Sequence, residues 1–130
     1  CTIKGLPIGI GEPIFDKLQS HLAFAMMSIN GCKGFEYGSG FEGVTLKGSE
    51  MYLTENQALI SGGIAGGISD GTPIVFRCVF KPTASNRKTL EAVSHDFKLG
   101  RHDACIAIRA TAVVEAMAAL VIEDFLSENQ

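Results

Sequence analysis

Long apolar runs, paired cysteines and a basic leader are all absent from this 130-residue sequence. No uncharged apolar run reaches the roughly 18 residues of a membrane-spanning helix, so we expect no membrane segment. No basic stretch followed by an apolar one opens the chain, which argues against a signal peptide. The four cysteines form no C-x-x-C pair and match no zinc or disulfide framework. We therefore expect buried free thiols, no metal site and a reducing, cytoplasmic compartment.

The composition favours one folded domain over residues 1–130. The chain is 46% apolar and 19% charged, which argues against disorder and allows a substantial core. Its net charge of −3 hides an asymmetry, because residues 77–109 contain seven basic side chains against three acids. A concentrated basic segment favours one localised anionic ligand over a nucleic acid or a membrane surface. A solvated charged loop explains the same charge equally well.

Hydrophobic spacing predicts two helices. Apolar residues recur at helical spacing over 14–29, with Pro13 where a helix can begin and Asn30-Gly31 where one can end. A second helix is predicted over Arg109–Leu126. Its apolar residues cover so wide an arc that we expect most of its circumference to be buried.

Short strands are predicted over part of 2–13, over KGFEYG (33–38) and FEGVTLKG (41–48), and over TPIVFRCVFKPT (72–83). The last is the clearest, with Phe76 and Cys78 on one face and Arg77 on the other, and Pro82 ends it by removing a ladder donor. The G-x-G-x-x-G at 38–43 precedes strand-forming residues rather than a helix, so it indicates a hairpin instead of a dinucleotide site. These elements predict an α+β fold in which antiparallel strands pack on two main helices.

Four glycine-rich or basic segments lie at the ends of these elements: SINGCKG, GGIAGG, KPTAS and GRHD. Such ends commonly converge on one pocket. Lys81 could bind a phosphate together with nearby hydroxyls, and Arg101 offers a planar fork for phosphate or carboxylate. A strand-end lysine and an exposed loop arginine are the plain structural alternatives. Asp103 could likewise cap a helix, form a salt bridge or handle a proton.

Six blocks, in this order, resemble the C-terminal part of chorismate synthases over essentially the whole chain: GIGEPIFDKL, AMMSIN, KGFEYGSGFE, GGIAGGISDGTPI, KPTAS and GRHDACIAIRATAVVEAMAALVIEDFL. The resemblance implies a lyase of the shikimate pathway and of aromatic amino acid biosynthesis. That enzyme eliminates phosphate and a ring hydrogen from 5-enolpyruvylshikimate 3-phosphate to give chorismate. It uses reduced FMN without net redox change, and NADPH is associated with it. The implied fold is a β-α-β sandwich, with helices between two antiparallel sheets, assembled as a homotetramer.

The matching motifs imply a set of site residues. The FMN contacts would be Asn30, Gly31, Gly66, Lys81, Pro82, Thr83, Ala84, Ser85 and Arg101. Asp103 matches the catalytic carboxylate near the flavin ring. The chain departs from the usual family pattern at Gly31, Ala84 and Ala104, where alanine, serine and proline are more common, and none of these changes removes a charge.

The resemblance also implies what this sequence does not contain. The family's two catalytic histidines and main arginine cluster belong to an N-terminal portion, and neither His21 nor His95 replaces them. The chain would then be the C-terminal, FMN-side portion of the enzyme, dependent on its N-terminal half and inactive alone. The alternative is a catalytically silent domain that binds flavin or another anion, or that serves assembly.

Overall fold

The computed structural model describes residues 1–52, 60–83 and 105–128. The elements, in chain order, are β1 (Thr2–Ile3), α1 (Leu18–Met27), β2 (Cys32–Tyr37), a 3-10 helix (Gly40–Thr45), α2 (Gly48–Tyr52), β3 (Ile64–Ala65), β4 (Ile68–Ser69), β5 (Ile74–Phe80) and α3 (Ala107–Glu128). Strand β5 is central in an antiparallel sheet ordered β1-β5-β2, and β3 and β4 form a separate antiparallel hairpin. The α+β class and the antiparallel pairing are confirmed, whereas the sandwich and the C-terminal position stay predictions.

The core lies between one face of the sheet and the two long helices. Leu18, Leu22 and Met26 recur every four residues on α1, and all three are fully buried. Ile74 and Phe76 alternate with more exposed residues on β5, as the two-residue period of a strand requires. The α3 helix contacts α1 and adds buried side chains to this core.

The first helix is shorter than the sequence predicts. It begins at Leu18 instead of near Pro13, and residues 13–16 form bends that expose Ile14 and Phe15. The Leu18 amide donates a 2.8 Å hydrogen bond to the carbonyl of Gly67. A distant hairpin carbonyl therefore caps this helix, and no nearby side chain does so.

The predicted strand at 41–48 is wrong. The Glu36 carboxylate on β2 accepts a 3.1 Å hydrogen bond from the Phe41 amide and forms a 2.7 Å ion pair with Arg77 on β5. This bond turns the chain back into the 3-10 helix, whose first residue, Gly40, has φ +52°. A carboxylate placed by strand pairing thus overrides the local β propensity.

The prediction that most of α3 is buried is also wrong. The helix buries Ala110, Ala118 and Phe125, while Val113 (45%) and Leu120 (65%) are exposed together on another face and Ile108 (75%) is exposed near its start. In the part of the chain that the structure describes, no element covers the face with Val113 and Leu120. Within that part, no helix is long and apolar enough to cross a membrane.

Candidate functional site

Three segments meet where α1, β5 and α3 approach one another. Gly31 follows α1, Lys81 follows β5, and Ile106 precedes α3. The Lys81 amide donates a 2.9 Å hydrogen bond to the carbonyl of Gly31. Gly31 has φ +87°, a left-handed conformation that strongly favours glycine. We call these three residues the Lys81 junction.

The side of Gly31 on which other residues have a Cβ atom faces the other two members of the junction. A Cβ at Gly31 would lie 3.4 Å from Ile106 Cδ1 and 3.8 Å from Lys81 Cγ. These are van der Waals distances, so backbone strain more than lack of space would oppose a larger residue there. Ile106 and the Lys81 stem therefore both lie beside Gly31.

The junction is electropositive. The carbonyl of Ile106 accepts the amides of Arg109 and Ala110 at 3.1 and 3.0 Å, so the first turn of α3 begins at the junction. The amides before Arg109 have no intrahelical acceptor and form the positive end of the helix dipole, and the first turn of α3 contains no acidic residue. Lys81 is exposed, and no acid among the described residues pairs with its ammonium. Such a place suits an anion, a phosphate group in particular.

The structure brings several predicted site residues together here. Asn30 is exposed beside Gly31, and Pro82 and Thr83 are exposed directly after Lys81. Strand β5 ends at Phe80, close to the predicted stop before Pro82. Ala84, Ser85, Arg101 and Asp103 lie outside the described residues, so their assignments stay predictions.

Gly66 lies elsewhere. It turns the β3–β4 hairpin with φ +63°, next to Gly67, whose carbonyl caps the first turn of α1. The junction lies beyond the opposite end of α1, a 10-residue helix about 15 Å long. A Cβ at Gly66 would meet nothing within 4 Å, so the space above it is open. The proposed FMN contact at Gly66 stays a prediction and is not part of the Lys81 junction.

A cavity of about 820 Å³ has Gly66 at its edge. It lies between α1, β2 and the hairpin, and its wall includes Phe35, Tyr37 and Gln19. The Gln19 Oε1 atom is buried and has no hydrogen-bond partner among the described residues. Sequence reasoning missed Gln19, since an isolated glutamine on an amphipathic helix carries no signal.

Arg77 and His21, which lie outside the junction, have structural partners. Arg77, counted in the basic segment, is paired with Glu36. His21 Nε2 lies 2.9 Å from Asp16 Oδ1, and its ring packs edge-on against Phe125 at 4.9 Å. The expectation that His21 is not a catalytic histidine stays a prediction. No three metal-ligating side chains cluster within the described ranges.

All four cysteines are free thiols, as predicted, but two of them are not buried. Cys32 is buried and Cys78 half-buried, whereas Cys1 and Cys105 are exposed. Burial, aided by the neighbouring Cys32, raises the pKa of the Cys78 thiol to about 11. Cys78 is therefore protonated at neutral pH and is a poor nucleophile.

Curated chorismate synthases are similar to the whole of this chain. The chain is 48% identical over 141 residues to chorismate synthase of Christiangramia forsetii and 49% identical over 145 residues to that of Synechocystis sp.. In both cases the match covers all of this chain and 40% of the relative. The solved structure titled "Crystal Structure of Chorismate Synthase" superposes with a TM-score of 0.73 at 32% identity, covering 98% of this chain and 36% of the other.

The chain thus spans about two-fifths of the length of the curated relatives that it matches. The family model described as chorismate synthase matches residues 1–126. The chain belongs to the chorismate synthase family.

Proposed function

We propose that this chain is the C-terminal, FMN-side portion of a chorismate synthase, which converts 5-enolpyruvylshikimate 3-phosphate to chorismate with loss of phosphate. The Lys81 junction carries the proposal, because its ammonium, which pairs with no acid among the described residues, lies beside the positive end of α3 in a chain of this family. The N-terminal half of the same enzyme supplies the remaining catalytic groups.

The residues at the junction fit a phosphate-bearing cofactor such as FMN. The Lys81 ammonium can bind phosphate oxygens, and the exposed Asn30 amide and Thr83 hydroxyl add hydrogen-bond donors. When bound, reduced FMN would supply the electron density that relieves electron deficiency on the substrate ring. Fixed cations of the complete site stabilise the negative charge that builds on the departing phosphate.

Asp103 and Arg101 complete the proposed site. They precede Ile106 by three and five residues in the sequence. Three residues span at most about 11 Å, so the covalent chain alone keeps Asp103 within reach of the junction. In this role the Asp103 carboxylate accepts a proton near the flavin, and Arg101 offers it a counter-charge.

The exposed face of α3 supports the proposed sandwich. Val113 and Leu120 form an apolar surface of the kind that folded proteins cover. A second sheet packed over this face would bury both side chains. We also propose that the complete enzyme is a cytoplasmic homotetramer and that NADPH is associated with it. These three proposals rest on family membership alone.

A second candidate is a silent domain that binds flavin or serves assembly. Both candidates allow the 130-residue chain to bind FMN. The chain alone is expected to form no chorismate, and only the first candidate predicts turnover when an N-terminal half is added. Turnover by the uncontaminated 130-residue chain would contradict the proposed division of the site.

The proposal is tested by FMN titration of the full-length protein with Lys81→Met. We expect a large loss of affinity, because a single ammonium is removed while the stem remains. Lys4→Met is the matched control, since Lys4 is also exposed but follows β1, which pairs with the opposite end of β5. Equal FMN affinity in the two variants would refute the assignment of the junction.

A further inference from the structure

We propose that Ile106 is a positioning residue that orients Lys81 at the junction. The inference rests on the proposed function, because it assigns Ile106 a role toward the same FMN site. Ile106 is an apolar residue next to a polar motif, and no sequence pattern marks it. The role follows from its place between three segments.

The first observation is where the Ile106 side chain lies. Ile106 is half-buried, whereas the next residues, Ala107 and Ile108, are exposed. Its Cδ1 atom lies 3.4 Å from the point where a Cβ on Gly31 would be, and Lys81 Cγ and Cε lie 3.8 and 3.9 Å from the same point. The isoleucine and the lysine stem therefore share the bare side of Gly31.

The second observation is backbone pairing. The Gly31 carbonyl accepts the Lys81 amide, so the lysine backbone is fixed to the turn that Ile106 covers. The Ile106 carbonyl accepts the amides of Arg109 and Ala110 in the first turn of α3, so Ile106 also lies at the helix start. Ile106 is thus placed where the turn after α1, the end of β5 and the start of α3 come together.

A lysine stem has several rotatable bonds, and an exposed lysine samples many rotamers. Ile106, beside Gly31, would restrict this stem and so help to fix the ammonium. Loss of the isoleucine side chain would then free the stem. We therefore expect Ile106→Ala to weaken FMN binding through Lys81 without removing any polar group.

The test measures FMN affinity of the full-length protein by flavin fluorescence, with the thermal midpoint recorded for every variant. Ile106→Ala is expected to weaken binding about tenfold. Ile108→Ala is the matched control, because the same residue type stands two positions later and is 75% exposed. It should leave the affinity unchanged. Ile106→Val removes only the Cδ1 methyl group and keeps the β-branch, so it covers the case in which Ile106→Ala does not fold. We expect an intermediate loss for Ile106→Val.

A double-mutant cycle with Lys81→Met separates positioning from general stability. If Ile106 acts through Lys81, Ile106→Ala should have less than about a twofold effect on FMN affinity in the Lys81→Met background. Additive losses, or equal affinities of Ile106→Ala and Ile108→Ala, would overturn the inference while Lys81→Met still supports the proposed site. If Lys81→Met has no effect of its own, the junction and the inference both fall.

Discussion

Ser69 on β4 is a buried polar residue, with only 2% of its surface exposed. Its hydroxyl donates a 2.6 Å hydrogen bond to the Pro7 carbonyl and accepts one from the Ile10 amide at 2.9 Å. These bonds attach the loop before α1 to the hairpin that carries Gly66. Ser69→Ala removes one oxygen atom and both bonds.

The expected cost follows from the groups left behind. The buried Ile10 amide loses its partner, which costs about 1–3 kcal/mol, and the bond to Pro7 contributes about 0.5–1.5 kcal/mol. We therefore expect a loss of about 2–4 kcal/mol in the free energy of unfolding. The amide of Gly9 still donates a 3.0 Å hydrogen bond to the Ser69 carbonyl. The Ser69 amide still donates a 2.9 Å hydrogen bond to the Ile10 carbonyl. The loop should stay attached through these backbone bonds.

Urea unfolding followed by circular dichroism measures this loss. The matched control is Ser61→Ala, because the half-buried Ser61 hydroxyl makes longer bonds, 3.3 Å from the Gly63 amide and 3.4 Å to Asp70. We expect the control to lose less than about 1 kcal/mol. Equal losses in the two variants would refute the reasoning that the two hydrogen bonds of the buried Ser69 hydroxyl contribute more to stability than those of Ser61.

Three further changes have defined outcomes. Gly66→Val in the full-length protein should weaken FMN binding, because φ +63° disfavours a β-branched residue and its side chain would enter the open space where the family resemblance places an FMN contact. Unchanged affinity in a titration would make the hairpin only a turn. Asp103→Asn should lower turnover roughly 10²-fold or more with little change in FMN affinity or thermal midpoint, and near-normal turnover or unfolding would assign it a structural role. The raised pKa of Cys78, about 11 against an ordinary 9.0, makes its protonated form part of the folded state's stability. That contribution is complete below pH 9.0 and is lost as the pH rises through about 11. Iodoacetamide at about pH 8 should modify Cys78 more slowly than the exposed Cys105, as mass spectrometry would detect, and equal rates would contradict the burial argument.

Much of the fold follows from local pattern. The alternation around Phe76 on β5 and the helical spacing of α1 and α3 depend on neighbours within a few residues, and the structure contains all three elements. The family could also be predicted, because six family-like sequence blocks in the same order rarely occur together by chance. The comparisons confirm this prediction. Lys81 and Gly31 could be named from the same blocks.

Contacts between distant segments decided the rest. The start of α1 depends on the carbonyl of Gly67, 49 positions after Leu18, and the 3-10 helix depends on a carboxylate held across the sheet by Arg77. The exposed face of α3 has the same composition as a buried one, so only packing could distinguish them. The meeting of Gly31, Lys81 and Ile106 likewise requires three chain ends to be brought together. Sequence determines which side chains are available, while the distances that make them a site arise only when long-range hydrogen bonds and burial fix the backbone.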